Sequence, residues 1–219
     1  MKISYAVTVC NELIELKRLF SFLLDNMRDE DEIIILFDSN NGSVEVEQFI
    51  KSTGAHFYPY KFDGNFSKMK NYLTSLCTGD YIYQIDADEI PNEYIFNILP
   101  QVLQQNDVDV LLVPRINTVK GLTQQHIDQW GWRLDNNGWV NFPDYQWRIY
   151  KNNANIKWKN KVHEVLEGYK TMSHLPTDKE WCLIHEKTIK RQEMQNEYYN
   201  LTLLTHCIYQ MIIWIHKTL

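Results

Sequence analysis

The first half of the chain alternates short apolar runs with amphipathic segments, and this alternation restricts the fold more than any other feature. Apolar, β-branched runs typical of strands occupy residues 3–9, 33–37, 55–60, 81–86 and 109–115. Segments with helical spacing lie between them, at residues 13–26, 44–52 and 67–77, and another begins at Pro91. Strands and helices in turn predict a mostly parallel sheet with right-handed crossovers, flanked by helices. We therefore predict an α/β fold.

The second half differs in composition and in its pattern of predicted elements. Six of the seven tryptophans lie between residues 120 and 182, and Asn136-Asn137-Gly138 has the sequence of a hairpin turn. Short strands are predicted at residues 146–151 and 156–159, and helical spacing returns from residue 186. The apolar stretch 201–219 is interrupted by polar residues, which favours an amphipathic helix over a membrane span, with contact at a membrane surface as the minor alternative.

Composition narrows the function classes. A formal charge of -6 on 219 residues argues against a nucleic-acid-binding surface, which is normally basic. The four cysteines are scattered and form no CxxC pair, which favours reduced thiols and a cytoplasmic location. Polar Thr8 and Glu12 follow the first apolar run too soon for the core of a signal peptide. We expect one domain of a soluble protein.

The acidic motif Asp86-Ala87-Asp88 comes directly after the predicted strand 81–86. Asp-x-Asp also occurs at residues 29–31 and 107–109, but there it precedes a strand. Carboxylates at the carboxyl end of a strand in an open α/β sheet face the crevice where such sheets bind ligands. On an extended backbone, Asp86 and Asp88 face the same side. The pair suits Mg²⁺ or Mn²⁺ that is also bound by substrate phosphates.

Other candidates fall at the same predicted edge of the sheet. Strand one ends near Thr8, and strand two ends at Asp38. Asp38 is a candidate acceptor for a base N–H or a ribose hydroxyl, although aspartate at this position also commonly caps a turn. Lys68 and Lys70 lie near a helix start, where an ammonium group can reach a diphosphate. The alternative for either lysine is a solvated helix face.

Four residues of the second half are candidates for chemistry. Glu164 suits a general base with His163 as its orienting neighbour, and Asp144 competes for that role. The alternative for Glu164 is a surface salt-bridge residue. His185 ends a short apolar run and is a candidate third metal ligand, or else a structural histidine at a strand end.

The sequence lacks the motifs that are typical of several enzyme classes. The chain has no Walker loop, no GxGxxG, no Gly-x-Ser-x-Gly and no zinc-protease histidine pair. These absences argue against an ATPase, a Rossmann dehydrogenase, an α/β-hydrolase and a zinc protease. The tryptophan-rich segment 130–181 offers flat apolar faces for a sugar, although core packing is the expected role for at least half of these tryptophans.

Four segments together resemble the glycosyltransferase family 2 group, which has the GT-A fold. They are residues 7–12 with the Asn-Glu pair, 33–38 with Asp38, 66–89 with the metal motif, and the acceptor-side segment 148–164. The first half matches well and the second half thinly. Lys70 departs from the arginine that many members carry before the asparagine. The usual Glu-Asp pair that supplies the base is not evident, which leaves Glu164 and Asp144 as alternatives.

The resemblance implies a GT-A fold with an irregular tryptophan-rich acceptor side and C-terminal helices. It implies a metal-dependent, inverting hexosyl- or deoxyhexosyl-transferase that moves a sugar from a nucleotide-diphosphate donor to a hydroxyl of a glycan or glycoconjugate. Residues 1–115 would bind the nucleotide sugar, and residues 116–219 the acceptor. Mn²⁺ or Mg²⁺ would be held by Asp86, Asp88 and His185. The implied donor-binding residues are Thr8, Val9, Asn11, Glu12, Asp38, Lys68, Lys70, Asp86 and Ala87.

Two alternatives to a glycosyltransferase remain. A sugar-phosphate nucleotidyltransferase shares the scaffold and the metal carboxylates, but it would be expected to carry a Gly-rich basic loop where this chain has residues 8–12, which contain no glycine. A non-catalytic carbohydrate-binding module on the same scaffold would need no active metal site.

Overall fold

The computed structural model describes residues 1–197, so the helix predicted at residues 201–219 lies outside the described residues. The helices are α1 Leu13–Asn26, α2 Val44–Thr53, α3 Phe66–Leu76, α4 Glu93–Asn106 and α5 Gln124–Trp130, with a 3₁₀ turn at Lys179–Trp181 and helical residues again at 189–197. Among these described helices, none has the length and apolar character needed to cross a membrane.

The strands form one large sheet and a small two-stranded sheet. They are β1 Ile3–Val9, β2 Glu32–Asp38, β3 His56–Tyr60, β4 Tyr81–Asp86, β5 Glu89–Pro91, β6 Val110–Lys120, β7 Asp144–Lys151, β8 Lys157–Lys159, β9 Val165–Glu167, β10 Met172–His174 and β11 Leu183–Thr188. The large sheet has the order β3-β2-β1-β4-β7-β6-β11-β5, with β10 beside β6, and β8 pairs with β9.

The register of the first four strands sets one functional edge. β1 lies between β2 and β4 and is parallel to both, and β3 is parallel to β2. Thr8 is level with Leu36 of β2 and with Asp86 of β4. The carboxyl ends of β1, β2 and β4 therefore meet at the same edge. β7 returns from the second half and runs antiparallel beside β4, with Ile149 opposite Tyr83.

Helices cover both faces of the sheet, which explains why its strands are apolar without alternation. On one face, α1 buries Leu16, Leu19, Phe20 and Leu23, a spacing that gives a helix one apolar stripe. On the other face, α3 buries Met69 and Leu73 in a second core cluster that includes residues of β1, β2 and β4. The predicted α/β fold with a mostly parallel sheet and flanking helices is confirmed.

Three local predictions need correction. Pro91 is the last residue of β5 and is not in a helix; α4 begins at Glu93, because Asn92 accepts the Tyr94 amide and caps it. Asn11 does not cap α1; Glu12 takes the cap position without a side-chain hydrogen bond. The helical prediction from residue 186 is wrong for residues 186–188, which β11 includes as its last three.

The hairpin turn predicted at residues 136–138 is confirmed. Leu134 and Val140 form an antiparallel bridge across it, and Gly138 adopts a left-handed φ of 78°. Cys10, Cys77 and Cys182 are free thiols, and Cys207 lies outside the described residues.

The chain divides into two compact units. One comprises residues 1–116 and 142–185, and the other comprises residues 117–141 and, within the described part of the chain, residues 186–197. The residues of the predicted metal, donor and base sites all lie in the first unit. The division into a donor-binding and an acceptor-binding half at residue 115 concerns function and stays a prediction.

Candidate active site

Thr8 and Asp86 meet where β1 and β4 end. Thr8 Oγ1 donates to Asp86 Oδ1 at 3.0 Å, and Gln84 Nε2 donates to the same oxygen at 3.0 Å. The amide of Ala87 donates to the carbonyl oxygen of Thr8 at 3.2 Å, which ties the acidic motif to the end of β1. The predicted convergence of strand one and the motif is therefore present in the structure.

Arg148 of β7, the strand beside β4, forms ion pairs with two carboxylates at the acidic motif. Its Nη2 donates to Asp86 Oδ2 and to Glu89 Oε1, both at 2.6 Å. The side chains of Arg148 and Glu89 are 4% and 0% exposed. Burial by itself would raise the pKa of Asp86, but Arg148 above all, with Lys70 and Arg115, holds that pKa well below its usual range. Asp86 is therefore an ionised, firmly oriented acceptor.

The ion-pair network continues through Arg115 of β6. Arg115 Nη1 donates to Glu89 Oε1 at 2.7 Å, while its Nε and Nη2 donate to Asp144 Oδ2 at 2.9 and 2.7 Å. Glu89 Oε2 in turn accepts the Asp86 amide at 3.2 Å. Burial lowers the pKa of Arg115, but Glu89 and Asp144 outweigh it and raise that pKa. The paired charges offset the large cost of burying each ion alone.

Asp88 has a different partner from Asp86. β4 ends at Asp86, and Ala87 and Asp88 lie in a turn, so strand alternation does not fix the direction of Asp88. Asp88 Oδ2 lies 3.1 Å from His185 Nε2, and these two side chains are 15% and 4% exposed. The structure thus brings together two of the three predicted metal ligands, although Asp86 itself is bound by Arg148.

The donor set at Asp88 and His185 fits a divalent ion. A carboxylate oxygen and an imidazole nitrogen are both ligands of Mn²⁺, and ions of this kind commonly take few protein ligands, with substrate phosphates and water completing the shell. Within residues 1–197, no group of three or more His, Cys, Asp or Glu side chains is arranged as a complete metal site. Asp88 and His185 therefore suit an ion shared with a substrate.

Asp38 is buried and adopts the turn-capping arrangement that the sequence left open. Its Oδ1 accepts the amides of Asn40 and Asn41, and its Oδ2 accepts Asn41 Nδ2 at 2.8 Å. Burial and the nearby charges of Glu12 and Asp38 raise the pKa of Cys10 to about 12, so this neighbouring thiol stays protonated. Asp38 is rigid, and its predicted role toward a nucleotide stays a prediction.

The loop after β1 folds back on itself. Glu12 Oε2 accepts the amides of Cys10 and Asn11 at 2.8 and 2.9 Å. Glu12 is therefore committed to the loop backbone, while Asn11 is exposed and Val9 is buried as the last residue of β1.

The two lysines of α3 lie on different faces of the helix, because residues two apart differ by about 200° around the axis. Lys68 is exposed and pairs with Asp63 at 2.8 Å, so the solvated-face alternative holds for it. That alternative is wrong for Lys70, whose Nζ lies 3.2 Å from Glu164 Oε1 and 4.6 Å from the ring centroid of Trp158. The structure does not bring the two lysines together.

The two candidate bases have different surroundings. Asp144 accepts two hydrogen bonds from Arg115 on Oδ2 and one from Gln146 on Oδ1 at 2.6 Å. Glu164 forms an ion pair with Lys70, and none of the hydrogen bonds found in the described part of the chain ends on its carboxylate. Proton abstraction needs an available lone pair, which favours Glu164.

The sequence patterns indicate no role for the residues that form the hydrogen-bond and ion-pair network around Asp86: Gln84, Glu89, Arg115 and Arg148. One signal was present, because Arg148 interrupts the apolar run of β7, and a charge in the middle of a buried strand requires a buried partner. Which carboxylate that partner would be depends on tertiary pairing. Arg148 Nε is buried without a hydrogen-bond partner among residues 1–197.

Core packing accounts for half of the six tryptophans in the second half, as expected. Trp158 is 2% exposed and belongs to the core cluster of Met69 and Leu73, and Trp147 packs against that cluster. Trp181 packs against the cluster that contains the buried leucines of α1. Trp130 and Trp132 lie in the second unit, with ring centroids 4.7 Å apart.

The family model described as Glycosyl transferase family 2 matches residues 4–180. The chain belongs to this family. The predicted enzyme class, a glycosyltransferase, is confirmed at the level of the family.

Solved structures agree in fold. Residues 1–349 of S. aureus TarS align with a TM-score of 0.59 and 15% identity, covering 85% of this chain and 60% of that one. The same TarS residues in complex with UDP-GlcNAc align with a TM-score of 0.60 and 16% identity, covering 85% and 59%. At such identity the likeness is one of fold, and the chain spans about three fifths of that structure. No curated protein matches the chain. The predicted GT-A fold is confirmed.

Proposed function

We propose that this chain is a metal-dependent, inverting glycosyltransferase that moves a sugar from a nucleotide-diphosphate donor to a hydroxyl of a glycan or glycoconjugate. One observation carries the proposal: Thr8, Asp86 and the Asp88–His185 pair lie together where the parallel strands end. That edge is where open α/β sheets bind ligands. Family membership supports the class of reaction. Because TarS was crystallised with UDP-GlcNAc, UDP-sugars are the first donors to test.

Asp86 and Asp38 suit the nucleoside. Both are held in place by internal hydrogen bonds, so neither has to be ordered when a ligand binds. Asp86 is partly exposed, at 32% of its side chain, and can accept a hydrogen bond from a ribose hydroxyl. Preorganised acceptors of this kind increase affinity by lowering the entropy cost of binding.

Asp88 and His185 would hold the divalent ion, which supplies positive charge to the departing diphosphate. Neither residue has to move far to share an ion, because their donor atoms are already 3.1 Å apart. The neighbouring carboxylates Asp86 and Glu89 are both paired with Arg148, and Glu89 also with Arg115, so they compete less for that ion.

Glu164 would act as the general base. It would accept the proton of the acceptor hydroxyl as that oxygen attacks the anomeric carbon from the face opposite the diphosphate, a geometry that inverts the configuration. Asp144 is the weaker candidate because Arg115 and Gln146 already occupy its oxygens. In this proposal residues 1–115 bind the donor and residues 116–219 bind the acceptor.

A thermal-shift panel of nucleoside diphosphates and UDP-sugars, each with and without Mn²⁺, tests the proposal. A ligand at one hundred times its dissociation constant adds about 2.7 kcal/mol of stability. We expect one base to stabilise the protein only when Mn²⁺ is present, and Asp88→Asn to remove that effect. Asp107→Asn is the matched control, since the Asp107 side chain is 87% exposed.

Two other results would point elsewhere. Stabilisation by a nucleoside triphosphate together with a sugar phosphate would favour a nucleotidyltransferase. Stabilisation by glycans alone, with no response to any nucleotide, would favour a carbohydrate-binding module. Either result would overturn the proposal.

A further inference from the structure

Lys70 is largely buried, and its ammonium already has two partners. The side chains of Lys70 and Glu164 are 10% and 12% exposed, with Nζ 3.2 Å from Oε1. The same Nζ lies 4.6 Å from the ring centroid of Trp158, within the range of a cation–π interaction. A diphosphate ligand would have to compete with both partners for that ammonium.

The segment that carries Glu164 has an unusual backbone. Residues 160–164 connect β8 to β9, and both Asn160 and His163 adopt left-handed φ values, 73° and 55°. Non-glycine residues in this conformation cost free energy and persist only where the surrounding structure fixes them. The observed strain lies directly before Glu164 and sets the direction in which that side chain leaves the backbone.

Helix α3 is hydrogen-bonded both to β8 and to this segment. Asn71 Nδ2 donates to the carbonyl oxygen of Trp158, and the Trp158 amide donates to Asn71 Oδ1, both at 2.9 Å. The Phe66 amide donates to the carbonyl oxygen of Lys161 at 3.0 Å. The helix therefore presents Lys70 to Glu164 in a fixed register.

We infer that Lys70 is a positioning residue for Glu164 and does not bind the donor diphosphate. The inference rests on the proposed function, in which Glu164 is the base. The ammonium holds Oε1, so Oε2 is the oxygen that accepts the proton of the acceptor hydroxyl. The proton moves from that hydroxyl to Glu164 while the new glycosidic bond forms and the bond to the diphosphate breaks. Lys70 exchanges no proton.

Lys70→Met tests the inference, because methionine keeps much of the aliphatic volume and removes the charge. We expect the Kd for UDP in the presence of Mn²⁺ to stay within about twofold of wild type, since no phosphate contact is lost. We expect kcat to fall by about tenfold to 100-fold, part of what general-base catalysis contributes. Lys51→Met, an exposed lysine of α2, should leave both values unchanged.

A double-mutant cycle separates positioning from a merely structural role. In the Glu164→Gln background, Lys70→Met should cause little further loss of kcat, because the residue it positions no longer acts as a base. Lys70→Arg keeps a positive charge beside Glu164 and should recover part of the lost kcat. It also serves as the test if Lys70→Met does not fold.

A Kd for UDP weakened at least about tenfold in Lys70→Met, with kcat retained at saturating donor, would make Lys70 a diphosphate ligand and overturn the inference. Independent, additive losses in the cycle would overturn it as well. If wild-type protein binds no nucleoside diphosphate, the proposed function fails and takes this inference with it. Weakened binding confined to the variant overturns the inference alone.

Discussion

Arg148 Nη2 donates to Asp86 Oδ2 at 2.6 Å, so the first carboxylate of the acidic motif is neutralised from within the sheet. The second carboxylate, Asp88, contacts His185 instead. Two acidic residues separated by one alanine therefore have different electrostatic surroundings. On this difference rests the proposal that Asp86 acts as an oriented acceptor and that Asp88 shares a metal ion.

Arg148→Met should destabilise the fold strongly, because it leaves Asp86 and Glu89 without their shared counter-charge. Breaking one partner out of a buried ion pair costs about 3–5 kcal/mol. Urea unfolding at pH 7 measures the loss. Lys151→Met, at the partly exposed end of the same strand, is the control and should cost no more than about 1 kcal/mol. Equal free energies of unfolding for the two variants would contradict the network.

His185→Gln should weaken Mn²⁺ binding in the presence of UDP by at least about tenfold, because an imidazole ligand is lost from the ion. The electron paramagnetic resonance signal of free Mn²⁺ follows the titration. His56→Gln, at an exposed position of β3, is the matched control. An unchanged Mn²⁺ affinity in the His185 variant would remove this residue from the metal site.

Glu164→Gln and Asp144→Asn should separate the two candidate bases. We expect the Glu164 variant to lose about 10²- to 10⁴-fold in kcat with its fold intact, the usual contribution of a general base. The Asp144 variant should lose stability instead, because Arg115 would lose a charged partner. Initial rates at saturating donor and acceptor, with a melting curve for each variant, measure both effects. A larger kcat loss in the Asp144 variant would reverse the assignment.

Glu32 should make the stability of the protein fall in acid. Burial acts to raise its pKa, but hydrogen bonds from Lys2, Ser4 and Thr78 outweigh burial and lower the pKa from 4.5 to about 2. A folded-state pKa below the unfolded value adds stability above about pH 4.5, and that stability is lost as the pH falls toward 2, up to about 3 kcal/mol.

Denaturant unfolding between pH 2 and pH 6 measures this dependence for Glu32→Gln beside wild type. The variant should lack part of the loss of stability in acid, whereas Glu45→Gln, at an exposed position of α2, should behave like wild type. Parallel curves for the Glu32 variant and wild type would show that the carboxylate does not contribute.

Local patterns were sufficient to predict the elements that form the functional edge. The bounds predicted for β1, α1 and β4 are those observed, because the apolar residues of each follow the pattern of a single type of secondary structure. Pro91 was misplaced because a proline before a helical pattern suits a first helical turn, and only the pairing of β5 with β11 makes it part of a strand.

The charge network could not be predicted in the same way. Arg148 reaches Asp86 across 62 residues of sequence, and Lys70 reaches Glu164 across a still longer separation. Sequence alone identifies a lysine near a helix start but not which face of that helix is buried. Only the packing of β8 against α3 encloses Lys70, and only the insertion of β7 beside β4 places Arg148 behind the motif.

Calorimetric titration of UDP into wild-type protein and Asp88→Asn, with and without Mn²⁺, tests the central claim most directly. The account predicts tight binding only for wild type with Mn²⁺, and binding weakened at least about tenfold when either the carboxylate or the ion is removed. Affinity that is the same with and without Mn²⁺, or unchanged by the loss of the Asp88 charge, would contradict it.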